Sequence, residues 1–237
     1  MRNTRAGFVS LVLILSLVLS LAAPLRAEPF DDAADAFKRG DYPTALRLLR
    51  PLADHGDPAA QNNLGVMYML GKGVPKDDAM AVTWYRKAAN QGNPDGQWSL
   101  GLMYFYGTGV AQDYAAAAAW FRKAADQGDA DAQYNLGVMY YFGQGDLPQS
   151  YVEATKWLRK AANRGNDDGQ FMLGLVYESG QGVPQDYVRA YMWYHLAAAA
   201  GNQDALRSRD DTARHMTPAQ IAQAQKLARE WKPLPPN

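Results

Sequence analysis

The sequence predicts an all-α solenoid, a stack of antiparallel helix pairs, and three observations carry that expectation. Leucine-glycine pairs recur at Leu64-Gly65, Leu100-Gly101, Leu136-Gly137 and Leu173-Gly174, a spacing of 36, 36 and 37 residues. The same offsets relate Tyr68, Tyr104, Tyr140 and Tyr177; Trp84, Trp120, Trp157 and Trp193; and Gly92, Gly128, Gly165 and Gly201. Each period also contains two sets of helix start and stop signals. A fixed period of this length is the mark of a repeat array, in which no single unit buries its own apolar face.

The elements follow in chain order. Residues 1–27 form a separate piece, with Arg2 and Arg5 before an apolar run over 8–21 and then Ala-Ala-Pro-Leu-Arg-Ala. That order is the pattern of a secretory signal peptide, with cleavage expected after Ala27. If retained, the apolar run would instead act as an anchor. Residues 28–56 form a degenerate first unit, because Asp41, Tyr42, Ala45, Leu48 and Gly56 lie 36 residues before Asp77, Asp78, Ala81, Trp84 and Gly92.

Four full units occupy 57–92, 93–128, 129–165 and 166–201. The first helix of each opens at a capping residue, Asp57, Asn93, Asp129 or Asn166, followed by proline in the first two units. It stops at Gly71, Gly107, Gly143 or Gly180, where glycine can close a helix in the left-handed conformation. The second helix opens at Asp77, Asp113, Ser150 or Asp186 and runs through Trp-Tyr-Arg-Lys-Ala-Ala or a variant of it. The extra residue of the third unit falls in the turn Gly143-Gln144-Gly145-Asp146-Leu147-Pro148-Gln149.

Residues 202–237 close the array. Asn202 sits at the capping position, the stretch 204–216 lacks the Leu-Gly signature, and Thr217-Pro218-Ala219-Gln220 reads as a capping box. The last helix places Ile221, Ala224, Leu227, Ala228 and Trp231 on one stripe. Within each unit, Leu64, Tyr68, Trp84, Ala88 and their counterparts are expected to face inward. The repeat glycines Gly65, Gly101, Gly137 and Gly174 should let helices approach closely, with Ala88, Ala124 and Ala161 at the crossings.

The runs Ala60-Gln61-Asn62-Asn63-Leu64-Gly65-Val66-Met67-Tyr68, Gly71-Lys72-Gly73-Val74-Pro75-Lys76-Asp77 and Trp84-Tyr85-Arg86-Lys87-Ala88-Ala89 resemble the Sel1-like repeat family, a relative of tetratricopeptide repeats. The resemblance covers roughly residues 41–203. It implies a right-handed superhelix that acts as a scaffold for protein assembly, often in bacterial envelopes, signalling or secretion. One exported, cysteine-rich branch is associated with β-lactamase or penicillin-binding activity. This sequence departs from that branch, having no cysteine and no Ser-x-x-Lys nucleophile motif.

Composition narrows the functions. Hydrophobic residues at 48% and charged residues at 20% suit a globular chain with a core. The absence of cysteine excludes disulfides, a thiol nucleophile and cysteine lipidation. Removal of residues 1–27 takes three arginines from 24 Lys+Arg and no acid from 24 Asp+Glu, leaving a net charge near −3. A nucleic-acid partner, which would favour a basic stripe, is not expected.

No catalytic, cofactor or metal site emerges. His195 takes the slot of Arg86, Arg122 and Arg159 and should stand on the outer face of a second helix, while His55 lies in a turn and His215 in the degenerate end. Asp77-Asp78, Asp167-Asp168 and Asp210-Asp211 read as helix-start acids, since adjacent helical residues point apart. Gly71-Lys72-Gly73 lacks both the Gly-Lys-Ser/Thr continuation and the preceding strand of a phosphate loop.

The candidate site is instead a surface. By analogy with tetratricopeptide arrays, the first helices line a concave groove, and its positions include Asn62, Met69, Trp98, Phe105, Tyr106, Tyr134, Tyr141, Phe142 and Phe171. Aromatics concentrate in the middle units. Trp98 is the sharpest candidate anchor, expected to affect partner capture but not melting when truncated, whereas Gly101→Leu should unfold its unit. The competing reading makes Tyr134, Tyr141 and Phe142 framework residues.

The function expected is that of a non-catalytic periplasmic or secreted scaffold holding another protein or an extended peptide. Binding of a cell-wall or exported glycan is the second reading, and a hydrolase of the β-lactamase-associated type the third. Membrane contact is expected only if the leader is retained.

Overall fold

The structure, a computed structural model, describes residues 28–235; the signal-peptide expectation for 1–27 lies outside them. Among the described residues are twelve helices and no strand: α1 (Glu28–Lys38), α2 (Tyr42–Asp54), α3 (Pro58–Leu70), α4 (Asp78–Asn90), α5 (Pro94–Tyr106), α6 (Tyr114–Asp126), α7 (Ala130–Phe142), α8 (Tyr151–Asn163), α9 (Asp167–Ser179), α10 (Tyr187–Ala199), α11 (Gln203–Ala213) and α12 (Pro218–Glu230). Each helix packs on the next from α1 to α11, α3 also meets α5, and α12 lies on α10. The chain is an all-α solenoid of stacked antiparallel pairs.

The boundaries are set by side chains. Asp57, Asn93, Asp129 and Asn166 accept the N–H three residues on and so cap α3, α5, α7 and α9. Asp77, Asp113, Ser150 and Asp186 cap the second helices in the same way. Each cap contributes about 1 kcal/mol. Gly107, at φ 68°, closes α5 in the left-handed region that a Cβ disfavours.

Leu64, Leu100, Leu136 and Leu173 are fully buried, with Met67, Met103, Met139 and Val176 beside them. The expected tryptophan row divides, because Trp84 and Trp193 are buried while Trp120 and Trp157 are only half-buried. The residue after each tryptophan goes deepest instead: Tyr85, Phe121, Leu158 and Tyr194. These side chains explain the repeat glycines. A Cβ on Gly65 would stand 2.6 Å from the Tyr85 ring, on Gly101 2.6 Å from Phe121, on Gly137 2.8 Å from Leu158 and on Gly174 2.5 Å from Tyr194. The alanines cross at a different place, where Ala88 and Ala161 approach Gly96 and Gly169.

Adjacent units are tied by repeated polar rungs. Buried Gln61, Gln97, Gln133 and Gln170 each donate to the carbonyl eight residues earlier, at Ala53, Ala89, Ala125 and Ala162. Gln91 and Gln127 then donate to the Oε1 of Gln61 and Gln97, at 2.7 and 2.8 Å. On the outer side, Arg86, Arg122 and Arg159 donate to the hydroxyls of Tyr104, Tyr140 and Tyr177 in the next unit. Lys87, Lys123 and Lys160 lie 3.8 Å over Trp84, Trp120 and Trp157, so the lysine stems and heads cover the exposed part of the indoles. The Gly-x-Gly turns join the stack too. A Cβ on Gly109 would come within 2.3 Å of the Asp78 carbonyl oxygen, and one on Gly145 within 2.3 Å of that of Tyr114.

The fourth unit breaks this outer pattern, and the break makes the cap. His195 and Leu196 replace the arginine and lysine, and α12 covers them, with Trp231 edge-on to Trp193 at 6.1 Å. His195 therefore does not stand on a free outer face. It is half-buried, stacks on Tyr191 at 6.1 Å, and its Nδ1 is buried without a partner. Asp210 and Asp211 lie near the end of α11 and pair with Arg209 and Arg214, so helix-start capping does not explain them. Ala224 and Ala228 bury the closing stripe, while Leu227 stays exposed at its edge.

Candidate functional site

The first helices α3, α5, α7 and α9 present four rows of equivalent positions, which differ sharply in exposure. The row nearest the helix starts holds Asn62, Trp98, Tyr134 and Phe171. Asn62 is buried and accepts a hydrogen bond from Ser99 Oγ at 3.2 Å, so it joins α3 to α5 and offers nothing to a partner. Trp98 is half-buried against the cluster around Leu136 and Ala132, with its indole N–H buried and unpaired. Packing does use this indole, contrary to the expectation that truncation would leave stability unchanged. Tyr134 packs on the same cluster, and Phe171 tilts against Tyr194 at 5.8 Å.

Half-buried Val66, Leu102, Val138 and Leu175 form the second row. The third holds Met69, Phe105, Tyr141 and Glu178. Met69 accepts from the Tyr85 hydroxyl at 3.7 Å. Phe105 sits edge-on to Tyr114 at 5.1 Å, and Tyr141 edge-on to Tyr151 at 5.0 Å. Glu178 is held by Tyr194 at 2.7 Å and Thr212 at 2.8 Å. These residues brace the surface from beneath.

The last row is open. Leu70 is 49% exposed, Tyr106 68% and Phe142 59%, at one register position on the first helices of three successive units. Edge-to-face contacts of Tyr106 with Phe105 and of Phe142 with Tyr141, at 5.1 and 5.0 Å, hold the two rings in place. Rigid, exposed aromatics lose little entropy on binding, which suits them as anchors. Sequence reasoning missed Tyr114, 37% exposed beside them; the recurrence of Tyr114, Tyr151 and Tyr187 at the start of three of the four second helices was the available signal. It also missed an apolar cavity of about 160 Å³ lined by Ala33, Phe37, Leu49 and Val66, at the α1 end of this face.

Among the described residues no three His, Cys, Asp or Glu side chains gather as a metal site, and no helix is long and apolar enough to cross a membrane. His215 stacks on Tyr187 at 5.5 Å, far in sequence from the exposed row.

A comparison with curated proteins returns no match. Among solved structures the chain is similar to a Sel1 repeat protein from Oxalobacter formigenes, 33% identical over 83% of this chain and 84% of that one, with a TM-score of 0.74. It also shares its fold with two immunity proteins from Pseudomonas aeruginosa. Pa5087 is 19% identical, covering 84% of this chain and 83% of its own, TM-score 0.55. PA5088 is 22% identical, covering 86% and 88%, TM-score 0.54. The Sel1 repeat profile matches residues 58–93, 94–129, 130–166 and 167–202 in succession. The chain belongs to the Sel1 repeat family.

Proposed function

We propose that this protein is an exported, non-catalytic adaptor that holds another protein, or an extended segment of one, on the face formed by its first helices. The observation that carries this reading is the exposed row Leu70, Tyr106 and Phe142. Stacking of the units accounts for the rows beneath it, but not for large apolar side chains left open at one register on three helices. Sel1 repeats are interaction scaffolds in general, which agrees with a binding role. Export rests on the leader over residues 1–27 and gives a periplasmic or secreted location; N-terminal sequencing of the mature protein tests it.

The test of binding is site-specific photocrosslinking in the native host, with the probe at Phe142 and a control probe at Arg122 on the outer side. Protein adducts at Phe142 and none at Arg122 are expected. Adducts confined to Arg122 refute the reading, and retention of purified cell-wall fragments at Phe142 replaces it with glycan binding.

A further inference from the structure

The charges of the array are divided between its two sides. None of the four first helices, 13 residues each, contains lysine or arginine, where the frequency of 24 in 237 would place about five. The second helices carry Arg86, Lys87, Arg122, Lys123, Arg159 and Lys160, engaged with tyrosines and tryptophans of the outer side. Three of the first helices, α5, α7 and α9, carry acids instead, while α3 carries no charge. α5 presents Asp95, Trp98, Leu102 and Tyr106 along one stripe, and α7 presents Asp131, Tyr134, Val138 and Phe142; α9 begins its stripe with Asp168.

The fold uses these acids only in part. Capping is done by Asn93, Asp129 and Asn166. Asp131 and Asp168 each accept one amide hydrogen bond, from Asn166 and Asn202, and neither they nor Asp95 has a cation within ion-pair distance among the described residues. The helix dipole favours an acid in a first turn. It does not explain the exclusion of cations from the rest of each helix. The acids also act on one another: burial, then Asp167 and Asp131, push the Asp168 carboxyl up, and Asp129 is pushed up by burial and by Asp131 and Asp95. Tyr134 joins the acidic row to the aromatic one, since its hydroxyl, pushed up chiefly by burial, feels Asp168, Tyr106 and Asp167.

We infer that the first-helix face takes a cationic protein segment, one in which lysine or arginine alternates with apolar side chains. This rests on the proposal that a protein binds there and adds its chemistry. Cations would meet the carboxylates of Asp95, Asp131 and Asp168, which have no cation partner of their own, while apolar side chains pack on Leu70, Tyr106 and Phe142. An anionic glycan or nucleic acid would be repelled, and a neutral glycan would gain nothing from the acids.

The probes are three synthetic peptides of about ten residues, enough at ~3.3 Å per residue to cross three helices ~10 Å apart. They share leucine and tyrosine positions and differ only in having lysine and arginine, serine and asparagine, or aspartate and glutamate between them. Binding to the whole protein is read by fluorescence anisotropy. The cationic peptide is expected to bind at least roughly tenfold more tightly than the neutral one, with the advantage shrinking between ~50 and ~300 mM salt. A triple variant, Asp95→Asn, Asp131→Asn and Asp168→Asn, should erase the advantage while its melting temperature stays close to that of the parent; Tyr106→Ala with Phe142→Ala should weaken all binding. Equal affinity for the cationic and neutral peptides, an unchanged preference in the triple variant, or no binding of any peptide overturns the inference. In each of those cases, protein adducts at Phe142 would still uphold the adaptor reading, and their loss would remove both.

Discussion

Gly101→Ala tests how the array is held together. In most helix interiors this exchange stabilises, because alanine restricts the unfolded chain, by about 1 kcal/mol. Here the added methyl would stand 2.6 Å from both Cδ1 and Cε1 of Phe121 and 3.3 Å from its Cγ. Phe121 is fully buried, on a helix that meets both α5 and α7, so its ring has no solvent side to move toward. Forcing an extra carbon into such a site costs about 1–3 kcal/mol. Set against the propensity gain of about 1 kcal/mol, this leaves a net loss of up to about 2 kcal/mol, and for a chain of this size that is up to roughly 4–8 °C in melting temperature.

The decisive comparison is the same exchange beside a truncated ring. Phe121→Ala alone should cost about 3–5 kcal/mol, since the cavity it leaves is enclosed. With the ring gone the methyl at residue 101 has room, and Gly101→Ala should then stabilise by about 1 kcal/mol. The sign of the effect therefore reverses between the two backgrounds. Thermal and urea unfolding followed by circular dichroism would measure the cycle, and amide exchange in α5 and α6 would guard against units unfolding separately. If Gly101→Ala stabilises the otherwise unaltered protein, the ring is not what requires the glycine.

Three further outcomes are expected. Trp98→Ala should lower stability by about 2 kcal/mol, less than the 3–5 of a fully buried tryptophan, whereas Tyr106→Ala with Phe142→Ala should change it by under about 0.5 kcal/mol per site; calorimetry separates them. Gln127→Ala leaves the buried Gln97 Oε1 without its donor and should cost about 1–3 kcal/mol in urea unfolding. The His195 imidazole is held below its ordinary value of 6.5, first by burial and then by Arg209 and Arg229. The unfolded chain thus takes up a proton more readily than the folded one, so the stability contributed by neutral His195 is full above about 6.5 and falls as pH drops below it. The melting temperature should fall on acidification from pH ~7.5 to ~5.5, and His195→Asn should flatten that slope.

The period, the capping residues and the closing helix were legible because each is written in local signals: a side chain that binds a nearby N–H, a glycine that ends a helix, an apolar stripe. What occupies the space over Gly101 was not, because the recurrence of glycine along the repeat shows that residue 101 is small without showing which neighbour makes it so. The rungs were half visible. Arg86 and Tyr104 each recur, but their pairing joins the outer side of one unit to the next unit's first helix. Trp98 was misjudged for a related reason. Its counterparts vary from Asn62 to Phe171, which reads as freedom, yet Asn62 spends its polarity on Ser99 while Trp98 fills the space toward α7. Variation at a repeat position records that different neighbours are satisfied differently.

The same principle locates the site. Positions bound by stacking are constrained in type: alanine or glycine at crossings, glutamine facing a carbonyl, arginine beside tyrosine. The last row of the first helices is under no such demand, since its side chains lie beyond the neighbouring unit. There the residues change from Leu70 to Tyr106 and Phe142 and then to Ser179, which is exposed and small. In the row below, Met69, Phe105 and Tyr141 give way to Glu178, whose carboxylate is tied to Tyr194 and Thr212. The apolar surface therefore ends where the cap begins. It spans three units, about 30 Å at ~10 Å per helix, and its other end opens on the apolar cavity beside Val66. A partner that uses it must lie across the helices, which calls for an extended segment; a single helix end or one sugar ring would reach only part of the row.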